Sequence, residues 1–264
     1  MKSYSQRDYY DAVKELIGAI TEKYGNKVEA IYAGGSFARG DFVPGRSDID
    51  IYIVLKNGKE ELQRDLQCEA LEIEKKHFKE LRSMIDEVLG VTVTTRKEIE
   101  EGQSFLGSGF EYSNFINEGK LLWGEDIKTI IPRPPQEKQE ASAETNLEQV
   151  YELISNQERR FKLLSWIPLK LMPRKSKERW TRYAFNLTFR TAAIFLGSKG
   201  VYVSKKEDIV NAFKQHIKDE ELCGIISFAL SLWEKWKAQP LKDKETRSLF
   251  ENSIEFVKRL QRLQ

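Results

Sequence analysis

Apolar residues recur along this chain in two rhythms, and the change from one to the other divides it. Val13, Leu16, Ile17 and Ile20 stand three or four apart and predict a helix over residues 8–23, ended by Gly25-Asn26. Ile31-Tyr32-Ala33 is a short apolar run that stops at Gly34-Gly35. Ile49 to Leu55 is a second run, rich in Ile, Val and Tyr. Both fit strands bounded by turn residues. Asn57-Gly58 marks a turn. A helical pattern then runs from about Lys59 to Leu89 on Leu62, Leu66, Ile73, Phe78, Leu81, Ile85 and Val88. Its spacing drifts near Lys75-Lys76, which allows one kinked helix or two. Val91 to Thr95 alternates as a strand does. Lys97 to Glu101 fits a short helical turn. Phe105 to Lys120 has no clear period, and Leu121-Leu122-Trp123-Gly124 fits a short strand after the turn at Asn117-Glu118-Gly119.

The prolines of Ile131-Pro132-Arg133-Pro134-Pro135 and the polar stretch to Ala143 predict an extended linker. Beyond it, every periodic segment is helical. Thr145-x-x-Glu148 and Ser204-x-x-Glu207 have the spacing of capping boxes. Trp180, Ala184, Leu187, Thr191 and Ile194 repeat at helical spacing until Gly197, and two later segments do the same around Leu222–Trp233 and Leu249–Leu260. The expected organisation is an α/β (α+β) domain with a mixed sheet over residues 1–130, a linker over 131–144, and an all-α helical bundle over 145–264.

Composition narrows the function classes. The chain has 264 residues, of which 40% are hydrophobic, enough to bury real cores. Its net charge of +2 is too small to give a nucleic acid the many phosphate contacts it needs, so nucleic acid is not an expected partner. Two cysteines, Cys68 and Cys223, and two histidines make no zinc pattern. The N-terminal residues lack an apolar signal core and no apolar run is long enough to span a bilayer, so a cytoplasmic protein without a membrane partner is expected. Six cations from Lys170 to Arg182 fall within thirteen residues. They suit a solvated helix start, or a cleft that takes a triphosphate.

The chemistry concentrates between Ile31 and Val54. Side chains two apart on a strand share a face, so Asp48 and Asp50 set two carboxylates side by side at a strand end. At neutral pH they repel unless a cation lies between them, and hard oxygen donors of this kind suit Mg²⁺ completed by phosphate oxygens. Gly35-Ser36 lets backbone amides approach a phosphate and adds a hydroxyl donor. Arg39 can contact phosphate through its planar fork or pair with Asp41. Ser47 can touch nucleotide or brace the turn before the strand.

Taken together, Gly35-Ser36-x-Ala38-Arg39-Gly40 followed by Ser47-Asp48-Ile49-Asp50-Ile51 resembles the nucleotidyltransferase superfamily of polymerase beta, the aminoglycoside nucleotidyltransferases and the minimal prokaryotic nucleotidyltransferases. That resemblance implies that Gly35 and Ser36 hold the triphosphate of ATP or another NTP, and that Asp48 and Asp50 bind Mg²⁺, with two ions possible. It implies transfer of a nucleoside monophosphate, most often AMP from ATP, to a hydroxyl acceptor. Arg39 and Ser47 stand beside the nucleotide in this scheme. Members often pair the catalytic domain with a helical bundle in the same chain or in a partner, so a homodimer is possible. The stretch Thr181 to Phe213 looks like the helical domain of the streptomycin and spectinomycin adenylyltransferases.

One feature of the family is not evident. Its third carboxylate, the acceptor base, sits on the strand after the long helix, and Gly90 to Thr95 carries no acid. Asp86 and Glu87, just before that strand, are the nearest candidates, and Glu178 or Asp208 could come from the helical half. A site with two carboxylates still suits Mg-nucleotide. The alternative is therefore a nucleotide-binding or antitoxin-like regulatory protein of the same fold with impaired turnover.

Overall fold

The computed structural model describes residues 3–85, 87–101, 103–104, 109–166 and 169–263, with backbone alone for 109–111 and 156–166. The chain divides into two compact units, Met1–Pro135 and Gln136–Gln264.

The first unit is a four-stranded mixed sheet with helices on both faces. Its elements are α1 (Gln6–Tyr24), β1 (Val28–Ala33), α2 (Gly35–Arg39), β2 (Ile49–Leu55), α3 (Lys59–His77), β3 (Leu89–Thr95), α4 (Arg96–Glu100), α5 (Gly109–Glu118) and β4 (Lys120–Gly124). The strands lie in the order β3-β2-β1-β4. β1 runs antiparallel to both β2 and β4, whereas β2 and β3 are parallel. The drifting pattern after Lys59 resolves as α3 followed by a single 3-10 turn at Leu81–Ser83.

Alternation along β2 fixes which way its carboxylates face. Ile49, Ile51 and Ile53 are fully buried against Leu16 and Ile20 of α1 and Leu62 and Leu66 of α3. Val54 and the neighbouring Tyr32 of β1 belong to the core on the opposite face, with Phe115 of α5. Burial of each isoleucine is worth about 1.5–3 kcal/mol. A one-residue slip would move all three to the other face, so the register is strongly held.

β3 is an outer strand of the sheet. Two of its amides are held by side chains. Leu89 N–H donates to Glu74 Oε2 at 3.0 Å, and Thr95 N–H donates to Glu98 Oε2 at 3.0 Å.

The second unit consists of α6 (Gln136–Trp166), α7 (Arg174–Gly197), α8 (Lys206–His216), α9 (Glu220–Ala238) and α10 (Asp243–Gln261). α6 starts at Gln136, so the polar residues 136–143 expected in the linker form its first two turns, and Thr145 lies inside it. Thr145 Oγ1 donates to the Ala141 carbonyl at 3.0 Å instead of capping. Pro134-Pro135 explains the early start, because proline suits the approach to a helix and resists continuing one. Similarly, α8 begins at Lys206 with Lys205, not Ser204, at its cap position.

α7 is buried along most of its length, from Thr181 to Gly197. Phe185 packs in a ring cluster with Trp233 and Trp236, and Trp180 stacks on Phe250 at 4.8 Å between centroids. Asp219 caps α9, accepting the Glu221 and Leu222 amides at 3.0 Å each, and its other oxygen accepts from Arg259 of α10 at 2.7 Å. Among the described residues, no helix is long and apolar enough to cross a membrane.

Candidate active site

The site is built where β1 ends. The chain leaves β1 at Ala33, and the Gly34 amide donates to the Asp50 carbonyl at 2.9 Å. A side chain at Gly34 would strike the Tyr52 ring, with a Cβ 2.4 Å from Cε2. Gly35 has a φ of +55°, in the region that favours glycine, and a Cβ there would lie 2.2 Å from Asp50 Oδ2. The Gly-Gly pair therefore brings the Asp50 carboxylate directly against the backbone that precedes Ser36. Gly35 and Ser36 open the five-residue helix α2, whose first amides have no partner within so short a helix. Gly40, at φ +79°, ends it.

Asp48 and Asp50 flank the buried Ile49 and are themselves partly exposed. Asp48 stands immediately before β2 and Asp50 is its second residue, and Asp50 is the one beside Gly35. β2 is held there from both edges. Gly34 binds the Asp50 carbonyl, and the Ile49 amide donates to the Val88 carbonyl at 2.8 Å.

The remaining residues predicted for the site serve as braces in this structure. Ser47 is buried, and its Oγ accepts the Val43 amide at 2.9 Å. Tyr9 of α1, fully buried, donates to the Ser47 carbonyl at 2.8 Å and accepts the Gly45 amide at 3.0 Å. The turn before Asp48 is thus tied to the first helix. Arg39 pairs with Asp41 at 3.2 Å, as the sequence suggested, and also with Glu118 of α5 at 2.8 Å. Burial works against its charge, but Glu118 and Asp41 outweigh it and its pKa is raised. Neither Tyr9 nor Glu118 carries a sequence signal that links it to this loop.

In the β2–β3 pairing, Gly90 stands opposite Asp50. The place beside Asp50 on the third strand is therefore held by a residue without a side chain. Asp86 lies outside the described residues. Glu87 is on the chain just before β3, and its pKa is raised by burial first, then by Glu74 and Asp48, while the Val91 amide pulls the other way. Its carboxylate thus feels the charge of Asp48. Glu178 accepts the Trp236 indole at 2.8 Å, and Asp208 lies in the first turn of α8. Among the described residues, no three His, Cys, Asp or Glu side chains gather closely enough to hold a metal ion. Among the described residues, Asp48 and Asp50 are the acids at this strand end, and two carboxylates fit a hard cation whose shell a phosphate completes.

Comparisons with known proteins bear on the family and the fold. Residues 13–122 match the family model described as a nucleotidyltransferase domain. A curated relative from Methanocaldococcus jannaschii, provisionally named a protein adenylyltransferase, is 46% identical over 43 residues, which are 16% of this chain and 42% of that protein. The match thus spans less than half of that relative's length. Among solved structures, spectinomycin adenyltransferase AAD(9) from Enterococcus faecialis, with ATP and spectinomycin, covers 96% of this chain and 99% of its own, at a TM-score of 0.56 and 12% identity. That likeness shows the fold. A toxin-antitoxin structure with AMP-PNP covers 56% of this chain and 95% of its own at 17% identity, and its TM-score of 0.26 is too low to speak for the fold. The α/β unit of this chain carries a nucleotidyltransferase domain over residues 13–122.

Proposed function

We propose that the protein is a Mg²⁺-dependent nucleotidyltransferase that moves a nucleoside monophosphate, AMP from ATP in the first instance, to a hydroxyl of a small-molecule or protein acceptor and releases pyrophosphate. The observation that carries this reading is the contact between Asp50 and Gly35, which joins an acidic strand end to a turn suited to phosphate. The ATP held by the spectinomycin adenyltransferase supports adenylyl transfer as the first case to try.

Asp48 and Asp50 would hold the metal, which supplies charge neutralisation for the triphosphate and the leaving pyrophosphate. Gly35 and Ser36 orient the phosphate chain through their amides and the Ser36 hydroxyl. An acceptor hydroxyl attacks the α-phosphorus in line. Arg39 and Ser47 serve the same site by holding the loop between α2 and β2 in place.

Gly90 opposite Asp50 favours a second reading, a regulator that binds Mg-nucleotide without turning it over. One assay separates the two. ATP and Mg²⁺ are incubated with a pool of hydroxyl acceptors, and pyrophosphate release is followed for wild type and Asp50→Asn. Release that disappears in the variant supports the enzyme. Tight Mg-ATP binding with no release from any acceptor supports the regulator.

A further inference from the structure

Helix α3 buries one charged residue among its apolar ones. Its core-facing positions are Leu62, Leu66, Ala70, Ile73 and Glu74, and Glu74 is 2% exposed. An ionised carboxylate is costly to bury unless it is paired and hydrogen-bonded. Glu74 is both. Its Oε2 accepts the Val88 amide at 2.9 Å and the Leu89 amide at 3.0 Å, and Arg82 Nε lies 2.7 Å from Oε1. Packing alone does not call for an acid here, since well-packed apolar residues commonly replace buried ion pairs without loss.

What the acid holds is the backbone next to the candidate metal ligands. Val88, fixed through its amide by Glu74, accepts the Ile49 amide through its carbonyl at 2.8 Å. Ile49 is the residue between Asp48 and Asp50. A continuous route therefore runs from the Glu74 carboxylate through the Val88–Leu89 peptide unit to the peptide between Asp48 and Ile49. On the other edge of β2, the Gly34 amide binds the Asp50 carbonyl at 2.9 Å. Without Glu74, the Val88–Leu89 entry to β3 would lose its side-chain anchor, and the Val88 carbonyl that binds the Ile49 amide would be less firmly placed.

We propose that Glu74 is a positioning residue for the transfer reaction, setting the spacing of Asp48 and Asp50 through Val88 and Ile49. The proposal rests on the nucleotidyl-transfer reading of that pair. It predicts an effect on metal affinity, of the kind residues behind metal ligands exert.

The test compares Glu74→Ala and Glu74→Gln with Leu16→Ala, a cavity variant in the same core. Three quantities are read: Tm, Mn²⁺ affinity with a non-hydrolysable ATP analogue, and the ratio of amide exchange at Ile49 to that at Ile53. Glu74→Ala is expected to weaken Mn²⁺ binding roughly tenfold and to raise the exchange ratio by a similar factor. Glu74→Gln, which keeps an oxygen acceptor, should recover most of both. Leu16→Ala should lower Tm and leave both unchanged. If Leu16→Ala moves them as far as Glu74→Ala does, or Glu74→Ala moves neither, the proposal is overturned. A wild type that binds no Mn²⁺ sinks the transfer reading instead, and the exchange ratio alone then decides whether the route from Glu74 to Ile49 exists.

Discussion

Asp50 Oδ2 occupies the space that a side chain on Gly35 would need: a Cβ there would come within 2.2 Å of it. The substitution Gly35→Ala therefore meets two obstacles, this clash and a backbone φ of +55°. Relief requires the carboxylate or the turn to shift by about an ångström, a displacement that costs roughly 100-fold in a positioned reaction. Gly35→Ala is expected to fold, at a backbone cost of about 1–3 kcal/mol, and to lose pyrophosphate release by that factor. A variant with wild-type turnover would remove the contact from the mechanism.

Arg39 is held by Asp41 and Glu118, and its side chain is 11% exposed. Arg39→Ala leaves Glu118 without this partner, so stability in urea should fall by about 1–3 kcal/mol. The KM for ATP should stay within about threefold of wild type, as expected when uniform substrate binding is untouched. A rise in KM of about tenfold or more at unchanged stability would assign Arg39 to phosphate instead.

Gly90 offers a direct probe of a third acid on this strand. Its backbone is ordinary, and a Cβ there would lie 3.7 Å from the Ile49 carbonyl and 3.9 Å from Asp50 Oδ1, both comfortable contacts. Gly90→Glu should therefore fold and place a carboxyl group beside Asp50. If the site is limited by the lack of an acceptor base, pyrophosphate release should rise by about 100-fold, the lower end of what general bases contribute. Unchanged turnover in a folded Gly90→Glu would show that the limitation lies elsewhere.

Much of this site could be seen in the residues alone, and the omissions share a cause. Local signals carried well. β2 was expected at Ile49–Leu55 and is found there, because alternation and turn residues are both local. The closeness of Gly35 to Asp50 comes from the pairing of β1 with β2 across the loop that joins them. Contacts across long stretches of chain left no trace. Arg39 meets Glu118 79 residues away, and Tyr9 reaches Ser47 over 38. Glu74 sits in the run Glu72-Ile73-Glu74-Lys75-Lys76, which reads as a solvated helix face, and only the fold shows that one of its acids points inward. α6 was cut short in the sequence for a related reason: its first turns are polar and show no apolar stripe.

In the helical unit, Asp219 joins the start of α9 to Arg259 of α10. The Arg259 guanidinium first, and the Leu222 amide next, hold its carboxyl below the ordinary value. A depressed folded pKa gives stability that is present above the ordinary carboxylate pKa and is lost as pH falls through the folded value. Asp219→Ala should therefore cost about 1 kcal/mol near pH 7, a typical cap loss, and the gap from wild type should close as the pH falls through and below the ordinary carboxylate range. Thermal melts of both proteins across pH 2–8 would check this, and a gap that persists at the acidic end would refute it.

The two glutamates that bind the outer strand, Glu74 from α3 and Glu98 from α4, also bear on how copies of this molecule meet. Sheets grow from one chain to the next when a foreign strand finds bare amides along a rim. On β3 the amides of Leu89 and Thr95, near its two ends, already grip carboxylates from their own chain. An incoming strand would have to displace both before it could register, so this rim resists fibrous stacking with charge drawn from the domain's own interior and helix cap.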